Sequence, residues 1–318
     1  MGKGLITLPQ IKSKALDCGF SLFGVADAIV PEKDKENFLS WVKQGLSGEM
    51  DWYGRNQDLR LNLNNLGFTP RSVIVLGCLY QDRDYDEVFA TKDFKISRYA
   101  TGKDYHLVLK KMSEPLLKYL RENFPENKFR QGVDSLPVPE KVFAREAGIG
   151  WQGKNTNIIN EDLGSYFFLS VILTDLQLLA DKPVTDRCGT CRACLDACPT
   201  GALFEPYKID AGKCISHHTI EDRSETFSES VDNGKWVYGC DICQEVCPWN
   251  RVKAKKREVY TLNEEFKLRE EFKTFTKQDF LEMTEEEFKN FVKDSAMDRI
   301  THSMWKRNFE KITTDGHR

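Results

Sequence analysis

The chain contains no apolar run that could span a bilayer. Its most apolar stretches, Ser72–Tyr80 and Tyr166–Leu173, fall far short of the ~20 residues a transmembrane helix needs. The opening Met1-Gly2-Lys3-Gly4-Leu5 has neither a long apolar segment nor a twin-arginine pair, so no export signal or membrane partner is read and a cytoplasmic location is expected. Gly2 makes no myristoylation site, because Ile6 stands where Ser or Thr is required. Excess positive charge is missing too. The net charge is −3, so nucleic-acid binding would have to come from a local patch. No GxGxxG follows a strand-like segment and no P-loop occurs, which removes the usual dinucleotide and nucleoside-triphosphate sites. Cysteine is scarce over the first 187 residues, where only Cys18 and Cys78 occur. Cys18 on a helix and Cys78 in a core strand both suit the common fate of free Cys as a small buried hydrophobe.

What is present is a length of 318 residues, enough for about two domains. Residues 9–18, Lys33–Gln44, Asp104–Phe124 and Val138–Ala147 carry helical spacing, while Phe20–Ala26, Ser72–Tyr80, Lys128–Val133 and Ser165–Thr174 read as strands. In Asp104–Phe124 the spacing is set by Leu107, Met112, Leu116, Leu117 and Leu120. This alternation predicts an α/β layered domain over roughly residues 1–180. Pro183 and Asp186 mark a change to short elements dense in cysteine, and beyond Arg251 the chain becomes charged and helical, most clearly over Asp279–Val292.

Eight of the ten cysteines lie between Cys188 and Cys247. In a reducing compartment such density points to metal rather than disulfides. The first run is Cys188-x2-Cys191-x2-Cys194-x3-Cys198-Pro199; the second is Cys240-x2-Cys243-x3-Cys247-Pro248, with Cys214 between them. The x2 spacing brings neighbouring thiolates to adjacent corners of an iron–sulfur cube, and the Cys before Pro ligates the other cluster. The expected sets are Cys188, Cys191, Cys194 and Cys247 for one 4Fe–4S cluster, and Cys198, Cys214, Cys240 and Cys243 for a second. Zinc is the alternative, but a four-cysteine zinc site wants two Cys-x2-Cys pairs.

Two other segments look chemically loaded. One is Ser97-Arg98-Tyr99-Ala100-Thr101-Gly102-Lys103-Asp104-Tyr105-His106; the other runs from Val133-Asp134-Ser135 through Arg145-Glu146-Ala147-Gly148-Ile149-Gly150-Trp151-Gln152-Gly153-Lys154-Asn155-Thr156. Asp134 ends a strand-like segment, a favoured ligand position in open α/β sheets. The three glycines suggest backbone laid closely against a ligand. Asp104-Tyr105-His106 opens like the Asp-x-His-x-x-Gly cobalamin motif, but Leu109 replaces the Gly, so His106 is read as structural.

These segments, with both cysteine runs and Cys214-Ile215-Ser216, resemble the epoxyqueuosine reductases over most of residues 1–310. The resemblance implies a cobalamin-dependent enzyme, related in fold to reductive dehalogenases, that reduces an epoxide on the modified wobble nucleoside of tRNA to an alkene. Electrons from an external donor would pass through two 4Fe–4S clusters to cobalamin bound base-off in the N-terminal domain. A cobalt-centred nucleophile would open the epoxide, and Asp134 would protonate the alkoxide, which demands a carboxyl kept protonated near pH 7 by burial beside the corrinoid. Cobalamin contacts are expected at Gln57, Ser97, Asp134, Ile158, Leu169, Ser216 and Asp241. Many members carry a C-terminal helical-repeat extension that this sequence does not continue into, and His217-His218 stand where relatives often have Tyr-Leu.

The expected architecture is α+β, with a cobalamin-binding α/β catalytic domain over 1–180, a bacterial ferredoxin-like two-cluster domain over 181–250, and a short, basic helical C-terminal segment over 251–318. A tRNA surface is expected at Arg251-Val-Lys253-Ala-Lys255-Lys256-Arg257 with Arg299, Lys306 and Arg307, since phosphates need positive charge. The protein is expected to act as a monomer. The rival readings are a corrinoid reductase of a small molecule, a non-catalytic ferredoxin-type carrier, and a zinc-stapled nucleic-acid binder.

Overall fold

The computed structural model describes residues 7–254 and 257–312. Its N-terminal part is built on a four-stranded sheet of β1 (Leu22–Asp27), β2 (Ser72–Leu79), β3 (Phe129–Gly132) and β4 (Phe167–Thr174), in the spatial order β1-β2-β4-β3. Every pairing is antiparallel, with Leu22 opposite Gly77, Ser72 opposite Thr174 and Phe129 opposite Thr174. The parallel α/β sheet implied by alternating elements is therefore replaced by an α+β arrangement. A fully buried strand reads as an unbroken apolar run in either direction, so the pattern does not report polarity. The crevice of a parallel sheet is absent, and the strand-end argument for Asp134 goes with it.

Strand β2 divides its side chains between two cores, as a period of two requires. Ile74, Leu76 and Cys78 face helices α1 (Leu8–Asp17) and α2 (Tyr105–Asn123), meeting Ile11, Ala15, Leu116 and Leu120. Val73 and Val75 face the other way, onto Phe143, Ala144 and Ala147 around helix α3 (Glu140–Glu146). Burial pushes the Cys78 thiol up to about 12, the behaviour of an inert core cysteine. Cys18 caps the C-terminus of α1.

The C-terminal helices do not stand apart. Helices α4 (Lys277–Glu282), α5 (Glu285–Val292) and α6 (His302–Lys311) share one core with Tyr85, Phe89, Phe94 and Tyr238. Phe280, Trp305 and Phe309 are fully buried there, each worth about 1.5–3 kcal/mol of removed apolar surface. The single helix expected over Asp279–Val292 is broken at Met283. Thr284 starts a new helix through a capping box: its backbone N–H donates to Glu287 Oε2 at 2.8 Å, and its hydroxyl accepts from Glu287 N. A short parallel pairing of Lys95–Ile96 with Trp236–Tyr238 ties the first part of the chain to the cysteine-bearing segment. Among the described residues no helix is long and apolar enough to cross a membrane.

Candidate functional site

Each short helix in the cysteine-bearing segment starts beside a cysteine: Ala193–Asp196, Ile215–Ile220 and Ile242–Glu245. The chain therefore turns sharply at each thiol, and none of the ten is in a disulfide. The fold gathers eight of them around two cavities. Cys188, Cys191, Cys194 and Cys247 line one of about 290 Å³. Cys198, Cys214, Cys240 and Cys243 line a second of about 390 Å³.

Burial raises the pKa of six of these thiols, with Cys194 pushed up to about 11. Thiolates within each set add to the rise: Cys247 and Cys188 act on Cys194, and Cys214 and Cys198 act on Cys243. Thiolates gathered this closely repel one another and are stable only around positive charge, which is the chemistry of a metal site. Among the described residues no three His, Cys, Asp or Glu side chains close on a single ion. The thiols instead wall cavities wide enough for a cube of iron and sulfide. The Trp151 indole N–H, 2% exposed, has no ordinary partner and favours ionisation of the Cys188 thiol. The donor set and this orphaned group fit a cluster.

The glycine-rich loop grips the cysteine segment rather than a ligand. A side chain on Gly148, whose φ is +67°, would meet the Lys182 carbonyl at 2.7 Å, and one on Gly150 would meet the Ile159 carbonyl at 2.3 Å. The sequence reading of backbone laid against a ligand is thus corrected: the close approach is to the protein's own chain. Beyond these glycines, Lys154 Nζ donates to the carbonyls of Gly189 (2.6 Å) and Cys191 (2.9 Å), and Asn155 Nδ2 donates to the Cys243 carbonyl at 3.3 Å. Asn155 lines both cavities.

Ser97, Ser216 and Asp241 lie on the wall of the larger cavity, together with Tyr53, Tyr99, Lys141 and His217. Asp241 is fully buried. It accepts from Ser97 Oγ (2.7 Å), the Arg98 backbone N–H (2.7 Å) and Arg98 Nη1 (3.3 Å), so it shapes the wall and has little capacity left for a ligand. The Ile158 side chain is buried in the sheet's second core, and Leu169 packs against that core while staying partly exposed. Gln57 opens the short helix Gln57–Leu61 and is not on that wall. His217 Nδ1 is buried and unpartnered beside the cavity, which leaves a polar group for a bound molecule to satisfy.

Asp134 follows β3 with a left-handed φ of 50°, a strained setting for a non-glycine residue. Its side chain is 70% exposed, so the protein alone does not provide the burial that the proton-donor reading invoked. Tyr105 Oη donates to Asp134 Oδ2 at 2.8 Å, and Asp134 N donates to Glu140 Oε1 at 2.8 Å. Burial first, then the Asp134 charge, push the Tyr105 phenol above its ordinary range. Lys141, though reached by solvent, has its pKa lowered by desolvation within the cavity wall; the Cys243 and Asp134 charges oppose this. Sequence reasoning misses Tyr105, Glu140 and Lys141. The Asp-Tyr-His tripeptide is the one available signal, and the leucine in place of its glycine turns the reading away from it.

The likeness to known proteins runs over nearly the whole chain. The epoxyqueuosine reductase of Leadbetterella byssophila is 40% identical over 302 residues, covering 94% of this chain and 96% of its own length; that of Cellulophaga algicola is 38% identical over 303 residues, with the same coverage. The chain belongs to the epoxyqueuosine reductase family, a group of oxidoreductases. The family model described as epoxyqueuosine reductase QueG, DUF1730, matches residues 60–135, and a 4Fe–4S double cluster binding domain matches residues 187–250. Among solved structures, an epoxyqueuosine reductase from Bacillus subtilis, described with its catalytic aspartate loop swung out of the active site, aligns with a TM-score of 0.82 at 27% identity. Another family structure, described with an epoxyqueuosine-modified tRNA-Tyr stem loop, aligns at 0.81 and 26%. Each alignment covers 95% of this chain and 79% of the solved one.

Several of the basic residues expected to face tRNA are engaged within the chain. Lys255 and Lys256 lie outside the described residues, as does the side chain of Lys253. Arg257 pairs with Asp162, and Arg299 holds Glu221 at 2.8 Å. Arg307 is buried and donates to the carbonyls of His218, Asp222 and Ser224. It braces the fold and offers nothing to a phosphate.

Proposed function

We propose that the chain reduces epoxyqueuosine at the wobble position of tRNA to queuosine, with electrons from an external donor passing through two 4Fe–4S clusters to cobalamin. The observation that carries this reading is the division of eight thiols between two neighbouring cavities joined by Asn155, the larger also lined by Lys141, which feels the Asp134 charge. Residues 181–250 act as the two-cluster module, residues 1–180 hold cobalamin and the reaction site, and the C-terminal segment completes the fold and contributes basic residues. Cys188, Cys191, Cys194 and Cys247 hold one cluster; Cys198, Cys214, Cys240 and Cys243 hold the other, beside the cofactor. The thiolate chemistry suits the reducing cytoplasm, and a monomer suffices, since every group used comes from one chain.

Cobalamin, when bound, supplies the low-potential cobalt centre through which the electrons reach the substrate. The chain's own residues do the rest. Ser97, Ser216 and His217 offer hydrogen bonds to its amide-rich periphery, Asp241 fixes Ser97, and backbone at Gln57, Ile158 and Leu169 completes the surround. Asp134 delivers a proton to the oxygen released as the ring opens, since an alkoxide is a poor species to leave free at neutral pH. The Asp134 carboxyl, exposed in the chain alone, would have to be covered by bound cofactor and substrate to stay protonated. Tyr105 Oη, hydrogen-bonded to Oδ2, keeps the carboxyl turned to the site.

The test is anaerobic purification, reconstitution with cobalamin, and an assay on tRNA carrying epoxyqueuosine, with nucleosides identified by mass spectrometry. About eight irons per chain and conversion to queuosine are expected. A protein that purifies with zinc in those thiols, or loaded enzyme that leaves the nucleoside unchanged, overturns the proposal.

A further inference from the structure

We propose that His106, oriented by Asp104, reloads Asp134 with the second proton consumed in the reduction. This rests on the reading of Asp134 as the proton donor. Taking an epoxide to an alkene breaks both C–O bonds and releases the oxygen as water. The balance is two electrons, which become the new π bond, and two protons, which leave on the oxygen. The reductant of the family's reaction supplies the electrons. A carboxylic acid carries one proton, so Asp134 spends it on the alkoxide at the first C–O cleavage. It must be protonated again before the hydroxyl leaves as water at the second.

The geometry supplies a source. Asp104 Oδ1 lies 2.7 Å from His106 Nδ1 and accepts the His106 backbone N–H at 2.9 Å. Burial would raise the Asp104 pKa, but these hydrogen bonds outweigh it and hold the carboxyl below its ordinary value. An ionised Asp104 has no proton to give, so Nδ1 carries the hydrogen and Nε2 is the nitrogen free to exchange one. That Nε2 points at Asp134 Oδ2 from 3.9 Å, the oxygen Tyr105 Oη also holds. The ring stacks on Tyr105 with centroids 4.0 Å apart, which fixes its plane. An acid oriented by a partly buried carboxylate on one side and facing its partner on the other is the arrangement of general acid–base dyads. The 3.9 Å gap is of the kind that tightens when substrate binds. The His106 side chain is 31% exposed, so water can recharge it. The charged groups around the ring are Asp104 and Asp134, with Lys110 acting on Asp104 from the same helix. His106 acts through Asp134 and is therefore a positioning and proton-relay residue.

The experiment uses anaerobic holoenzyme, loaded with clusters and cobalamin, in single turnovers on epoxyqueuosine-containing tRNA. His106→Ala should be slower by about a hundredfold, with unchanged tRNA affinity and iron content, and added imidazole should restore about tenfold of that loss. His106→Gln should be equally slow and gain nothing from imidazole, because its side chain fills the space. Asp134→Asn should be inactive with or without imidazole. Wild-type speed in His106→Ala, or a loss that imidazole leaves untouched, overturns the relay. If Asp134→Asn is dead while His106→Ala runs at full rate, only the relay falls. If Asp134→Asn turns over normally, the proton-donor reading falls with it.

Discussion

Arg98 Nη1 lies 3.3 Å from Asp241 Oδ2, and both side chains are almost wholly buried, 6% and 1% exposed. The guanidinium also reaches Asp86 and, at 2.9 Å, Glu245, and it stacks over Tyr85 with its central carbon 4.1 Å from the ring centroid. One cation thereby joins the segment after β2 to the helix that follows Cys240. Removing one partner of a buried pair strands the other charge and costs about 3–5 kcal/mol. Arg98→Ala should therefore lower the thermal midpoint sharply and reduce cluster content, because the wall holding Cys240 and Cys243 loses its anchor. A variant with an unchanged midpoint and full iron would show that the pair does not hold this wall.

Much of the secondary structure was legible because it depends on local periodicity. Leu116 and Leu120 in α2 are buried as their spacing requires, while Leu107, counted on the same face, is 54% exposed. The break at Met283 was written in Thr284-x-x-Glu287 but masked by apolar spacing that runs on through Phe288 and Phe291. Strand direction was not legible, since alternation and apolarity are alike in both polarities. The cysteines line two cavities in the sets that cluster-ligand spacing leads one to expect, because that spacing is set by the shape of the cube. The partners of Asp134 could not, because Asp104, Tyr105 and His106 approach it only through the packing of α2 against β3. The glycines of the Gly148–Gly153 run misled because a missing Cβ permits any close approach, to ligand or to protein.

Glu140 makes the stability of the Asp134 loop depend on pH. Burial first, then the Asp134 charge, push its carboxyl up to about 8, despite its bond to Asp134 N. A carboxylate whose folded pKa exceeds its unfolded value of ~4.3 binds more protons when folded, so stability falls as pH rises between those two values. Solvent reaches part of this side chain, which makes the effect smaller than full burial would give. Glu140→Gln keeps the amide-oxygen acceptor and removes the charge. Its thermal midpoint should exceed that of the wild type above about pH 8 and approach it below about pH 4. Parallel pH profiles for the two proteins would refute this.

The Trp151 indole should tune the cluster beneath it. Hydrogen bonds to cluster sulfur favour the more negative, reduced form and raise the potential. Trp151→Phe keeps an aromatic ring against Trp249, whose centroid is 4.8 Å away, but removes the N–H beside Cys188. The potential of the cluster at Cys188 should become more negative in an EPR-monitored titration, while the other cluster stays put. Equal shifts in both clusters, or none, would exclude a local hydrogen bond.

Positive charge near the second cysteine run should be read out by salt. Each phosphate that a nucleic-acid complex no longer neutralises flattens the plot of log affinity against log salt by about 0.7–0.9. Neutralising Arg251, Lys253, Lys255 and Lys256 together should weaken tRNA binding most at low salt and reduce that slope. Arg307→Gln should instead destabilise the fold, because its guanidinium satisfies three backbone carbonyls. A slope unchanged by the fourfold neutralisation would move the tRNA surface elsewhere.

The crossing of ligands between the two cysteine runs can be decided by iron counting in double variants. Cys247 lies in the second run of the sequence but lines the cavity of Cys188, Cys191 and Cys194; Cys198 lies in the first run but lines that of Cys214, Cys240 and Cys243. If each set holds one cube, Cys247→Ala should cut iron from about eight to about four per chain. Adding Cys188→Ala should remove no more, because that cluster is already gone. Adding Cys240→Ala instead should strip the second cluster as well. Were the cysteines grouped by run, the two double variants would exchange outcomes: Cys247→Ala with Cys240→Ala would keep half the iron, and Cys247→Ala with Cys188→Ala would keep almost none.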